Sequence, residues 1–269
     1  MPELPVPRLY SVSEAEQLAA TVRAHLDLGP DAPIRDLRVR LEDSFASRVY
    51  VLPQKGRLNA AAFHHPAIGG SILLAERSIP RMRFTLARAL GHLLASRDEA
   101  MIDLQEDRKK TPTENFAAAF ASALLMPARG LRERFGAVHN EANEVGDIAV
   151  LFLARTFGVT LKALRLRLEA LKLATPATLR RIDEAVLEAG AGARPDAPQE
   201  LPDQPRWEML SERYVFLAMR AYRKELISRA RLAECLCTTE NDTALRLLRY
   251  VASVTELSQE GEPESSRRG

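Results

Sequence analysis

The chain has 269 residues, 46% of them hydrophobic and 28% charged, which fits an ordinary globular protein with a sizeable core, as one large domain or two smaller ones. Its formal charge of +2 is too small to point to nucleic acid by charge alone. No stretch approaches about 18 uninterrupted apolar residues, so no membrane span is expected, and Cys235 and Cys237, only two apart, suit a disulfide framework poorly and fit a reducing cytoplasm.

The opening MPELPVPRLYSVSEAE has prolines and acids where a signal peptide needs a basic region and an apolar run. Ser11 or Ser13 ahead of EAEQLAATVRAHLDLG predicts a capped helix that stops at Gly29. Pro33 opens a second helix, IRDLRVRLEDSF, with Ile34, Leu37 and Leu41 at helical spacing. The β-branched and aromatic run RVYVLP predicts a strand, and LNAAAFHH and SILLAE around PAIGG predict a hairpin. Pro80 starts a helix that runs to about Ser96. The polar stretch DEAMIDLQEDRKKTPT reads as a loop. From Thr113 an Ala-rich helix, ENFAAAFASALLM, ends at Pro127, and three or four more helices are expected between Leu131 and Ala189. Residues 190–206 have linker composition, rich in Gly, Ala and Pro. A small helical module is expected over about 207–254, followed by a tail, TELSQEGEPESSRRG, with too few apolar residues to fold. The order of helix, helix, small sheet and helices gives an α+β, mostly helical fold class rather than an alternating β/α one.

The segment FTLARALGHLL carries the most readable chemistry. At about 100° per residue, Leu86, Leu90, Leu93 and Leu94 fall on one side, and Arg81, Thr85, Arg88, His92 and Ser96 on another. A metallopeptidase helix of the H-E-x-x-H kind sets two His one turn apart so that both reach one zinc ion, with a Glu that takes a proton from the metal-bound water. That frame is filled here by Arg88, Ala89, Leu90, Gly91 and His92. A guanidinium stays protonated and has no acceptor, so Arg88 cannot ligate a metal. Ala89 cannot take a proton. Alone, this helix is amphipathic with its polar face to water, and it is not a zinc site.

RFTLARALGHLLA nevertheless resembles, position for position, the RFTLAHELGHLLL-like helix of the ImmA/IrrE family of zinc metallopeptidases. PIRDLRVRLEDSFASRVYVLP and LNAAAFHHPAIGGSILLAE look like that family's helix, strand and hairpin. ENFAAAFASALLMP looks like its E-x-x-x-N-x-F-A-A-x-L-L-M-P helix, and LARTFGVTLKALRLRLEAL resembles its L-A-x-x-F-G-V-S-x-x-A-L-x-x-R-L segment. The resemblance covers roughly residues 15–172 in one order. It implies a zincin-like domain with a small sheet over 1–130, followed by a helical extension with a helix-turn-helix-like segment over 131–190; composition alone adds a linker over 191–206, a small helical module over 207–254 and a disordered tail over 255–269.

The resemblance also assigns His92 as the second His ligand and Glu114 as the acidic ligand. Arg88 stands at the first His ligand, Ala89 at the catalytic Glu, and Ala118 replaces the usual Asn. Zinc binding worth about 10–16 kcal/mol over four ligands falls by roughly 3 kcal/mol with one lost. A missing general base costs on the order of 10²–10⁴ in rate. Members of the family typically cleave a partner repressor of the XRE helix-turn-helix type, in stress responses or mobile elements. The expectation for this chain is a degenerate, bacterial, cytoplasmic regulatory protein that binds such a partner without cutting it. No cofactor is expected, and zinc enters only if another residue substitutes for Arg88. A Glu114 carboxylate without its metal is expected to pair with Arg88, whose guanidinium can lay a fork on it.

Two other readings remain open. His64 or His65, near the hairpin turn, could supply a substitute ligand for an active zinc endopeptidase that cleaves the repressor. A DNA-binding transcriptional regulator could use DIAVLFLARTFGVTLKALRLRLEAL, with Lys162, Arg165 and Arg167 facing phosphates, or ISRARLAECLCTTENDTALRLLRYV, with Arg229, Arg231, Arg246 and Arg249. Paired helices are also a common way to pack a core, so protein contact or core structure is preferred over DNA. His25 and His139, the latter expected in a polar loop, have no recognisable partner. Cys235 and Cys237 are expected to be buried small hydrophobes.

Overall fold

The computed structural model describes residues 7–53, 56–97, 99–104, 111–140, 147–192, 210 and 212–239. The chain divides into two compact units, Met1–Asp203 and Gln204–Gly269.

The first unit opens with α1 (Val12–His25), started by a reciprocal cap: the Glu14 amide donates to Ser11 Oγ, and the Glu14 carboxylate accepts from the Ser11 amide at 3.0 Å. That amide first, then the one of Arg8, holds the Glu14 carboxyl down to about 2. The helix stops at His25, short of the predicted Gly29. Asp27 adopts a left-handed φ of +51°, and the chain then wraps the buried Arg23 guanidinium, which donates to the carbonyls of Gly29 (2.6 Å), Ala32 and Leu124 (2.7 Å). The second helix, α2 (Leu37–Ser44), begins later than Pro33 predicted. A helix starting at Ile34 would need the carbonyls of Ile34 and Arg35 for its own ladder. Both instead accept from Arg83, at 2.7 Å for Arg35.

The sheet runs in the order β1-β3-β2-β4, from β1 (Arg48–Leu52), β2 (Leu58–His65), β3 (Gly69–Ala75) and β4 (Met101–Leu104). The predicted hairpin is β2–β3; β1 lies parallel to β3 and β4 antiparallel to β2. β4 is a correction, because it lies in the stretch expected to be a loop. It pairs Met101 with Ala62, Ile102 with Ala61 and Asp103 with Ala60. At the opposite edge, side chains of α2 occupy the polar groups of β1. Arg38 donates to the Val49 carbonyl at 2.9 Å, and the Val49 amide donates to Glu42 at 3.3 Å.

Behind the sheet lie α3 (Ile79–Ala95) and α4 (Pro112–Leu125). Leu86, Leu90, Leu93 and Leu94 of α3 are buried, as the periodicity predicts, against a core that includes Phe116, Phe120 and Leu124 of α4. The two helices approach at Gly91, where a Cβ would sit 2.9 Å from Phe120 Cδ1 and 3.3 Å from Ala117 Cα. Then come α5 (Ala128–Asn140), α6 (Asp147–Phe157), α7 (Leu161–Ala170) and α8 (Pro176–Gly192). His139 therefore lies within α5, not in a loop. Gly158, with φ +62°, makes the α6–α7 turn, and its carbonyl accepts from Arg83 Nε at 3.1 Å.

The second unit contains α9 (Glu212–Arg223) and α10 (Arg229–Cys235), closed over Val215, Ala218, Met219, Leu232 and Leu236. Cys235 is half-buried against that core, whereas Cys237, just past the helix, is exposed, so burial was the wrong expectation for it. Most of the expected linker, the end of the small module and the tail fall outside the described residues. Among the described residues no helix is long and apolar enough to cross a membrane.

Candidate functional site

Three elements bring ionisable side chains to one place. Arg88 and His92 are one turn apart on α3 and share a face. Glu114 lies in the first turn of α4, fixed by the Thr111 cap: its amide donates to Thr111 Oγ1 at 3.1 Å. A carboxylate there also benefits from the positive end of the helix dipole. Asp103 comes from β4, where the order of apolar and polar residues is inverted: Ile102 points out and is exposed, while Asp103 points in and is buried.

The Arg88 guanidinium joins the two carboxylates. Nη1 donates to Glu114 Oε2 at 2.8 Å and Nη2 donates to Asp103 Oδ2. His92 Nε2 lies 3.1 Å from Glu114 Oε1. The expected pair of Arg88 with Glu114 is thus present, and Asp103 is a third member that the sequence did not reveal. The His92 hydrogen bond, helped by the Arg88 charge, holds the Glu114 carboxyl below its ordinary range, against the opposing effect of burial. Ala89 is fully buried and offers only a methyl group where a base would stand.

Zinc fits this arrangement poorly. Of the positions assigned by resemblance, His92 and Glu114 carry donors, and Arg88 brings a cation with no lone pair to the point where a metal would sit. Among the described residues no cluster of three or more His, Cys, Asp or Glu side chains is arranged to hold a metal. His64 does not complete one. Asp103 stands opposite Ala60, and His64 is four residues further along β2, about 13 Å at roughly 3.3 Å per residue. His65 closes the hairpin turn, its Nδ1 accepting from the Ala67 amide at 3.2 Å.

The residues expected to face phosphates divide. Lys162 is exposed. Arg165 pairs with Asp183 at 2.7 Å and Glu169 at 3.3 Å. Arg167 is a correction: only 4% exposed, it donates to the Met126 carbonyl at 3.0 Å and to the Glu16 carboxylate. It ties α7 to the end of α4 and to α1. In the second unit Arg231 pairs with Glu234 at 2.6 Å, and Arg246 and Arg249 lie outside the described residues.

Residues 46–169 match the family described as Peptidase_M78, IrrE N-terminal-like domain. The match covers 124 of the 269 residues, and over that segment the chain is similar to the family. The matched segment runs from just before β1 to the end of α7, and it contains Arg88, His92, Asp103 and Glu114. A search of curated proteins found no match to the chain.

Proposed function

We propose that this chain is a non-hydrolytic member of the ImmA/IrrE group that binds a partner protein, a repressor of the XRE helix-turn-helix type, without cutting it. One observation carries the reading. The guanidinium of Arg88 bonds both Asp103 and Glu114, in the place where hydrolysis needs a metal-bound water, and the adjoining Ala89 has no group to take a proton. Partner binding draws support from β4. Among the described residues it pairs on one side only, with β2, and Ile102 on it is 68% exposed. A strand with one free edge can accept an extended segment of another chain through main-chain hydrogen bonds.

The test mixes the purified chain with XRE-type repressors, any encoded beside it first. Co-elution on size exclusion with the repressor intact after overnight incubation is the expected result. Repressor fragments that disappear when a zinc chelator is added would return the chain to the active endopeptidases. The DNA reading is tested by binding to duplex DNA across a salt series, where a steep loss of affinity with salt marks phosphate contacts. The burial of Arg167 and the pairing of Arg165 weigh against it.

A further inference from the structure

We propose that the outer face of the sheet, the one turned away from α3, docks a short acidic amphipathic helix of a partner protein. The inference deepens the partner-binding reading and rests on it in one respect, that the chain acts by holding another protein. It names a surface and the kind of segment which that surface takes.

The register of the strands defines the face. Ile102 of β4 stands opposite Ala61 of β2, Ala61 opposite Leu73 of β3, and Leu73 opposite Tyr50 of β1. Residues directly opposite one another point to the same side of a sheet, so these four make one row across all four strands. Phe63 of β2, Ser71 of β3 and Arg48 of β1 make the next row on that side. The alternate residues Val49, Ala60, Ala62, Ile72, Leu74 and Asp103 are buried on the α3 side. On the outer side Ile102 is 68% exposed and Phe63 37%, while Ala61, Leu73 and Tyr50 keep part of their surface open. Among the described helices of the first unit, those that pack closely on the sheet are α3, on the inner face, and α2, at β1.

Size and charge select the occupant. Three inter-strand steps of about 4.8 Å make the row about 14 Å long, and with the second row the patch covers roughly 200 Å². A stable dimer buries about 800 Å² on each partner, more than this face offers to a second copy. A helix is about 10 Å across and spans 14 Å in about nine residues, so two to three turns fill the patch with an i, i+3, i+4, i+7 apolar stripe. The outward strand positions carry Arg48 and His65, and the single carboxylate of the four strands, Asp103, points inward. Arg48 bonds the Ile68 carbonyl, a neutral acceptor, and so brings positive charge to the rim. Glutamates beside a partner's apolar stripe meet that charge.

The probe is a fluorescein-labelled helical peptide of about 14 residues, with leucines at i, i+3, i+4 and i+7 and glutamates on the flanks. Anisotropy is read against the full chain and its Phe63→Ser, Ile102→Ser and Arg48→Glu variants, with circular dichroism as the check of folding. The native chain should bind the peptide saturably, and Phe63→Ser and Ile102→Ser should each weaken it by about 10-fold or more. Phe63 lies on β2, which is paired on both sides, so its effect cannot come from an open strand edge. Arg48→Glu should turn the preference toward a peptide with lysines in place of the glutamates. Phe63→Ala and Ile102→Ala repeat the measurement if a serine variant unfolds. No binding by the native chain overturns the proposal. So does equal binding of an isomer with its leucines dispersed, equal binding of the lysine peptide by the native chain, or variants that bind unchanged. Capture by phosphatidylcholine–phosphatidylserine vesicles that Phe63→Ser abolishes would make the face a membrane surface, and a native dimer that Phe63→Ser dissociates would make the occupant a second copy; either overturns it. No arm contains the repressor. A repressor that co-elutes while the peptide fails removes this surface and leaves the partner reading, and the reverse result does the opposite.

Discussion

Replacing Arg88 by alanine in the presence of a chelator isolates the structural part of its work. The change strands Asp103, which is 8% exposed, and takes one partner from Glu114, which is 30% exposed. Breaking a buried pair from one side costs about 3–5 kcal/mol, because the remaining charge stays buried without compensation. Glu114 is close to one third exposed and keeps His92, so water and the imidazole recover most of its share, leaving at most about 1 kcal/mol. Arg88 itself is 16% exposed, which places the Asp103 contribution at the low end. The expected loss is about 3 kcal/mol, or a fall in melting temperature of about 6–12 °C for a unit of this size. Urea unfolding followed by far-ultraviolet circular dichroism measures it. Asp103→Asn, alone and combined with Arg88→Ala, closes a cycle whose coupling energy should be about 2 kcal/mol. A loss under about 1 kcal/mol, or a coupling near zero, would mean that the guanidinium is solvated and idle, and the reasoning about the site would be wrong.

Gly91→Ala adds a methyl 2.9 Å from Phe120 Cδ1; overpacking of about 1–3 kcal/mol outweighs the gain of about 1 kcal/mol in helix propensity, so a net loss near 1 kcal/mol should appear in the same urea assay. Arg167→Ala leaves the buried Met126 carbonyl without its donor and frees Glu16, for an expected loss of about 2–3 kcal/mol; an unchanged stability with weakened DNA binding would revive the nucleic-acid reading. Glu114 titrates below its ordinary 4.5 in the folded chain, so its stabilising contribution is complete above 4.5 and is lost as pH falls through the folded value. Glu114→Gln should therefore flatten the acid limb of the stability profile, and an unaltered limb would remove Glu114 from the acid response.

The elements that the sequence made legible are those whose signals are local. The Leu86–Leu90–Leu93–Leu94 stripe, the serine cap of the first helix and the hairpin around PAIGG each need only neighbours in the chain. The misread ones depend on distant partners. α2 starts late because Arg83, 48 and 49 residues further on, takes the carbonyls that an earlier start would use. β4 is four residues within a polar run and exists through pairing with β2, not through propensity. Asp103 was hidden by the same omission, although the inverted order of Ile102 and Asp103 is a trace of it. Arg167 was misassigned although its place was readable: it lies three residues after Leu164 and one before Leu168, on the face that both bury. Arginine chemistry suggested phosphate, while position had already suggested the core.

The shared guanidinium also fixes the order in which mutation could lead from this sequence to a hydrolytic one. A glutamate introduced at position 89 alone would enter a fully buried position beside a cation already divided between two carboxylates. It would add an unneutralised charge and gain no water to activate. A histidine introduced at position 88 first would restore, with His92 and Glu114, the ligand set that the resemblance assigns, and only then would a glutamate at 89 have a water to act on. The path is open in one direction only, position 88 before position 89, and only where zinc is present. Without zinc each single step would cost stability, and the two carboxylates that share the guanidinium hold the arginine in place.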